Sequence, residues 1–231
     1  MRTFVVGDIH GAYKALCQCF ERSGFDKDND RLIVLGDVCD GYSQVKEVID
    51  ELLSLKHCVF IIGNHDIMAL NWLTTGFQES YWMDEGGAAT ANAYAKGAPD
   101  KHIQFLKNGK FWFEDAGDIF VHGGFDPSVA LENQDKLDLV WDRKLILDAV
   151  NRSKNGGSYQ YAPWKRIFLG HTPTYNFGIS TPMKACNILD LDTGAGWSGA
   201  LSIMDVATEG FWQSDKTQLL YPHERARNRK S

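Results

Sequence analysis

The stretch Phe4-Val5-Val6-Gly7-Asp8-Ile9-His10 begins as an apolar run and stops at a glycine followed by two potential metal ligands. Related arrangements return at Leu32-Ile33-Val34-Leu35-Gly36-Asp37, Val59-Phe60-Ile61-Ile62-Gly63-Asn64-His65, Ile119-Phe120-Val121-His122-Gly123-Gly124 and Ile167-Phe168-Leu169-Gly170-His171. Short runs of this kind, often β-branched and bounded by glycine, fit buried strands better than helices. Strand ends lying along one sheet edge would bring the Asp, Asn and His side chains into one crevice, where open α/β sheets bind ligands.

That donor set points to metal. Carboxylate and amide oxygens mixed with imidazoles suit Mn, Fe or Zn, whereas an all-oxygen set would favour Mg or Ca. Asp8 and His10 are two apart in a segment read as extended, so both side chains point the same way and can chelate one ion. Asn64, His122 and His171 can hold a second, leaving Asp37 to bridge the pair. Two cations about 3.5–4 Å apart can activate a water and clamp both oxygens of an in-line displacement at phosphorus. The implied reaction is phosphoester hydrolysis.

In order, Gly7-Asp8-Ile9-His10-Gly11, Gly36-Asp37-Val38-Cys39-Asp40, Gly63-Asn64-His65-Asp66, His122-Gly123-Gly124 and Gly170-His171-Thr172 resemble the motif set of the calcineurin-like metallophosphoesterases. The resemblance is strongest to the phosphoprotein phosphatase branch, in its compact bacterial and phage forms, and runs from about Arg2 to Phe211. It implies an α/β, four-layer α-β-β-α sandwich of two mixed sheets and a dinuclear centre, with Mn²⁺ expected and Fe or Zn as alternatives. It assigns Asp8 and His10 to the first metal, Asp37 to the bridge, and Asn64, His122 and His171 to the second. His65 then protonates the leaving oxygen, Asp40 orients His65, and Arg143 in Val140-Trp141-Asp142-Arg143 clamps phosphate together with Asn64. The expected mechanism is direct attack by a metal-bridging hydroxide.

One element of the pattern is missing. The second motif of the family continues Asp-Arg-Gly, but this chain has Asp40-Gly41-Tyr42, so one of two phosphate-clamping arginines is absent. Neither Gly41 nor Tyr42 reproduces a bidentate guanidinium. Lys144 or Arg166 can supply a substitute cation, and the Tyr42 hydroxyl can contact an ester oxygen. The substrate reading is therefore a phosphomonoester, foremost phosphoserine or phosphothreonine in proteins and also phosphotyrosine. The alternative is a symmetrical dinucleotide polyphosphate hydrolase or phosphodiesterase. A non-catalytic metal-binding scaffold is a second alternative, against which His65 and Asp40 both stand.

At 231 residues and 44% hydrophobic the chain can bury one substantial core, and no linker or repeat divides it. A catalytic domain over 1–213 and a C-terminal extension over 214–231 are expected, the latter ending in the basic Arg225-Ala226-Arg227-Asn228-Arg229-Lys230. The net charge of −6 excludes general nucleic-acid binding. No run reaches the roughly 18 apolar residues of a membrane span, and no signal peptide is visible. The expected setting is cytoplasmic, with phosphorylated proteins or small phosphoesters as partners. Five cysteines without a CxxC pair indicate free thiols, Cys39 among them in a structural role.

Apolar spacing predicts helices over Gly11–Gly24 and Tyr42–Leu55, which alternate with the first three strands, and another from Asp66 to Thr75. Residues 76–108 read as a helical insertion, with helices over Asp84–Ala95 and Asp100–Leu106. Phe111–Phe120 reads as a hairpin turning at Ala116-Gly117, and Cys186–Asp205 as two strands of the second sheet. Asp66 is expected to cap its own helix. Phe77, Tyr81 and Trp82 are read as anchors of the insertion, with the wall of a substrate groove as the alternative, Asp84-Glu85-Gly86-Gly87 as a lip beside them, and Trp164, Trp197 and Trp212 as packing residues. His57, His102 and His223 lie outside every motif.

Overall fold

The strands are covered on both faces, which is why they read as unbroken apolar runs. Along the first strand Phe4 and Val6 pack toward helices while Val5 joins a separate core between two sheets. The computed structural model describes residues 1–154, 156 and 159–224, so the basic stretch from Arg225 onward lies outside the described residues.

The N-terminal half alternates as expected. Strand β1 (Thr3–Val6), helix α1 (Tyr13–Ser23), β2 (Arg31–Val34), α2 (Val45–Ser54) and β3 (Cys58–Phe60) follow one another, and β1–β2 and β2–β3 pair in parallel. Helix α1 ends at Gly24 in the left-handed conformation, as its sequence predicts. Helix α3 (Asn64–Thr75) follows. The insertion contains a π-turn at Met83–Gly87, α4 (Ala88–Ala93) and α5 (Asp100–Lys107), the last packed on α2 and α3.

The hairpin of β4 (Trp112–Asp115) and β5 (Asp118–Val121) turns at Ala116-Gly117, both with positive φ. Helices α6 (Lys136–Trp141) and α7 (Lys144–Lys154) lead to β6 (Arg166–Leu169), then to a second hairpin, β7 (Met183–Ala185) and β8 (Ile188–Asp190). Strands β9 (Ser202–Asp205) and β10 (Phe211–Gln213) and helix α8 (Thr217–Leu220) complete the described chain. One sheet runs β10-β9-β1-β2-β3 and the other β4-β5-β6-β8-β7; each mixes parallel and antiparallel pairs. One helical layer packs outside the first sheet and α7 outside the second, so the order is α-β-β-α.

The C-terminal strands differ from expectation. Cys186–Asp205 does not supply two strands of one sheet: β8 belongs to the second and β9 to the first, antiparallel to β1. Residues 191–201 cross between the sheets instead of closing a hairpin, a distinction that alternating hydrophobicity cannot make. Between the sheets Phe120 and Phe168 stack at 4.7 Å, with Val5, Ile33, Leu35 and Met204 around them. Full burial of each such side chain contributes about 1.5–3 kcal/mol. Within residues 214–224 Ser214, Thr217 and Tyr221 are buried, and Tyr221 accepts a hydrogen bond from the Lys14 amide at 2.9 Å. No helix among the described residues is long and apolar enough to cross a membrane.

Candidate metal centre and cleft

The site forms where the strands stop. Just beyond β1, β2, β3, β5 and β6 lie Asp8 and His10, Asp37, Asn64 and His65, His122, and His171; each is at most 5% exposed. His10, Asp37, Asp40 and His171 all have positive φ, between 49° and 67°. Such backbone is costly for residues with a Cβ and persists where surrounding contacts fix it. Gly63 permits the closest approach: a Cβ there would lie 2.1 Å from Asp37 Oδ1.

The imidazoles are oriented from behind. A carbonyl can only accept, so Nδ1 of His10 donates to Cys39 O at 3.1 Å and Nδ1 of His122 to Leu35 O at 2.6 Å. This leaves their Nε2 lone pairs facing Asp37 Oδ2, at 3.6 and 3.4 Å. His122 Nε2 also meets Asn64 Oδ1 at 3.0 Å, and His171 Nε2 is buried without a hydrogen-bond partner. Acceptors that converge without a donor between them fit a cation, and imidazoles braced through Nδ1 fit metal ligation. Ligand atoms of Asp37, His122 and His171 lie within 4.8 Å of one another, as do those of His10, Asp37 and His65, so Asp37 is common to both groups.

Charge supports the same fit. Burial disfavours an ionised Asp37, but the surrounding imidazoles of His122, His65 and His10 outweigh it and hold its carboxyl well below the usual range. Burial and the charges of Asp192 and Asp37 push Asp8 well above that range, and burial with Asp192 does the same to Asp190. Burial, together with the charges of His122 and Arg143, keeps His171 neutral, the form that ligates. Asp8 lies outside both groups of three; its oxygens accept the His171 amide at 3.2 and 3.1 Å. The premise that Asp8 and His10 share an extended segment does not hold, because β1 ends at Val6 and His10 is left-handed.

Beside the centre, His65 Nδ1 donates to Asp40 Oδ2 at 2.7 Å, and the His65 amide donates to Asp37 Oδ1 at 2.9 Å. Asp66 caps α3 by accepting the Gly63 amide at 2.9 Å, and also accepts the amides of Val38 and Cys39. A cleft of about 550 Å³ opens over Asp37, Asn64, His65 and His171, with Arg143 at its side and Tyr81, Trp141, Tyr175 and Trp197 among its walls.

A profile of the calcineurin-like phosphoesterases matches residues 1–199. The chain belongs to this family. The phosphoesterase is 26% identical to serine/threonine-protein phosphatase 1 of Salmonella typhimurium, over 87% of this chain and 89% of that one. It is 35% identical to the symmetrical bis(5'-nucleosyl)-tetraphosphatase of Coxiella burnetii, over 90% and 89% of the two chains. Among solved structures, a protein serine/threonine phosphatase from Saccharomyces cerevisiae superposes with a TM-score of 0.61 at 15% identity, covering 93% of this chain and 80% of that one. These relatives agree with the phosphoprotein phosphatase branch, and the family's dependence on a dinuclear metal centre agrees with the two residue groups that share Asp37.

The phosphoesterase departs from expectation around the missing arginine. Gly41 has φ +81°, its amide donates to Gly86 O at 3.1 Å, and a Cβ would lie 2.9 Å from His10. Tyr42 does not reach the cleft. Its ring is buried against Tyr221 at 4.6 Å, and its hydroxyl lies between Thr217 Oγ1 (3.0 Å) and Trp197 O (3.1 Å). Tyr42→Phe should therefore lower unfolding stability by about 0.5–1.5 kcal/mol and leave kcat/KM unchanged; denaturant titration and steady-state assays check both.

The substitute cations lie elsewhere. Arg166 pairs with Asp118 and Glu209 at the start of β6, the end of the strand away from His171. Lys144 lines a second, smaller cleft with Asp126, Asp138 and Asp142. Trp197, expected in packing, lines the main cleft, as do Tyr81 and Glu85. Trp82 is fully buried and Phe77 exposed, so the aromatic trio divides into anchor, wall and surface. Met68, Trp141, Tyr175 and Asn176 belong to the cleft without a motif to announce them, although Trp141 stands two residues before Arg143.

Proposed function

We propose that this phosphoesterase hydrolyses phosphomonoesters, foremost phosphoserine and phosphothreonine in proteins, and phosphotyrosine as well. The charge of the cleft carries this reading. Among the described residues that line it, Arg143 is the one guanidinium. Two divalent cations and one arginine match a single phosphoryl dianion.

Bound by the residues around Asp37, with His10, His122, His171, Asn64 and Asp8 as donors, two cations would supply an activated water and neutralise charge at phosphorus. The donor set suits Mn²⁺, with Fe or Zn as alternatives. Arg143 is steadied by donating to the His171 carbonyl at 3.0 Å and offers its remaining N–H groups to phosphoryl oxygens. Asn64, which also lines the cleft, contributes its amide. Because His65 Nδ1 is committed to Asp40, Nε2 is the nitrogen that passes a proton to the departing oxygen. All five cysteines are free, which supports a cytoplasmic setting.

The aromatic walls favour a second reading. Tyr81, Trp141, Tyr175 and Trp197 can stack a nucleobase as well as a phenyl ring, and the 35%-identical relative is named as a dinucleoside tetraphosphatase. The test is kcat/KM of Mn²⁺-reconstituted protein on p-nitrophenyl phosphate and its bis ester, then on phosphopeptides and diadenosine tetraphosphate. Monoesters should lead by more than about tenfold, a difference of 1.4 kcal/mol in transition-state stabilisation. A lead for the diester and the dinucleotide would overturn the protein-phosphatase reading and establish the second.

A further inference from the structure

Asp40 is fully buried and left-handed, and both oxygens of its carboxylate accept hydrogen bonds from the insertion. Trp82 Nε1 donates to Oδ2 at 2.8 Å, the same oxygen that accepts His65 Nδ1 at 2.7 Å. Thr90 Oγ1 donates to Oδ1 at 2.7 Å and accepts the Asp40 amide at 2.9 Å. Next to these bonds, the Gly41 amide donates to Gly86 O. Trp82 is itself locked, tilted against Trp72 of α3 at 5.5 Å and so close to Gly87 that a Cβ there would lie 2.5 Å from its ring.

A buried carboxylate without enough donors would rotate or take up a proton, and either change would release the imidazole that it orients. Two neutral donors on separate oxygens prevent both. They fix the carboxylate plane, and the plane fixes the tautomer and direction of His65. Thr90 also bridges the amide and side chain of one residue, holding Asp40 in a backbone region that residues with a Cβ seldom occupy.

We propose that Trp82 and Thr90 are positioning residues for the leaving-group acid, so that the 76–108 insertion completes the Asp40–His65 pair as well as lining the cleft through Tyr81 and Glu85. This rests on the reading of His65 as proton donor. Positioning of an acid matters in proportion to how much the leaving group needs a proton. Thr90→Val removes the hydroxyl at nearly constant volume, Thr90→Ser restores it, and Trp82→Phe removes the indole N–H.

The experiment compares kcat and KM of these variants, and of His65→Asn, on a series of monoesters from 2,4-dinitrophenyl phosphate to an alkyl phosphate. Melting temperature and bound metal are measured alongside. Thr90→Val and Trp82→Phe should lower kcat on the alkyl ester by about 10–100-fold more than on the dinitrophenyl ester, the range typical of losing a partner that orients an imidazole. KM and metal content should be retained, and Thr90→Ser should recover most of the loss. If Thr90→Val does not fold, Trp82→Phe decides by the same ratio. An equal loss across the series, while His65→Asn remains dependent on the leaving group, would overturn the proposal and leave the acid assignment standing. Loss of leaving-group dependence in His65→Asn itself would overturn both.

Discussion

Asp37→Asn is expected to end phosphoester hydrolysis and to deplete both metal positions. Asp37 is the residue common to the two ligand groups, with Oδ2 facing His10 and His122 and Oδ1 accepting the His65 amide. Asparagine keeps the shape but turns one oxygen into a donor, so it cannot present two lone-pair edges to two cations, and the negative charge between the two ligand groups disappears. The loss of kcat/KM should exceed the roughly 10²–10³-fold that accompanies removal of one electrostatic contact at a reacting centre. Metal analysis should find less than one ion per chain where the wild type holds two. A variant with full metal occupancy and wild-type turnover would remove Asp37 from the bridging role.

On the proposed mechanism, His65→Asn should separate proton transfer from metal binding. Its expected cost is about 10²–10⁴-fold in kcat on esters with poor leaving groups, the usual contribution of a positioned acid, with metal content unchanged. Folding should survive, because Asp40 keeps its hydrogen bonds from Trp82 and Thr90 after the imidazole is removed. Simultaneous loss of metal would instead mark His65 as a ligand, a role its proximity to His10 and Asp37 makes testable.

Much of this centre is legible in sequence because each element depends on local chemistry. An apolar run covered on both faces has no polar alternation to hide it, and the residue ending it is displayed where the strand stops. Gly63 has to be glycine because Asp37 occupies the space beside it. What escaped the sequence depends on long-range packing. Tyr42 follows a motif, yet its ring turns to Tyr221, 179 positions onward by their numbers. Trp82 and Thr90 are ordinary core residues by composition, and only the folded insertion brings them to Asp40. Arg166 is a cation of the right kind at the wrong end of its strand. Strands β7 and β10 have three residues each, too short to show a period.

The position of β9 has a consequence for synthesis. Strand β1 lies between β2, which follows it closely, and β9, which comes from the far end of the chain. A growing chain that has not yet reached Ser202 can pair β1 with β2 and β3, but one side of Phe4, Val5 and Val6 stays open as an unpaired apolar edge. Such an edge recruits other strands. Nascent and shortened forms that lack Ser202–Asp205 therefore carry the hazard of edge-to-edge association, which β9 removes by laying a late strand against the first.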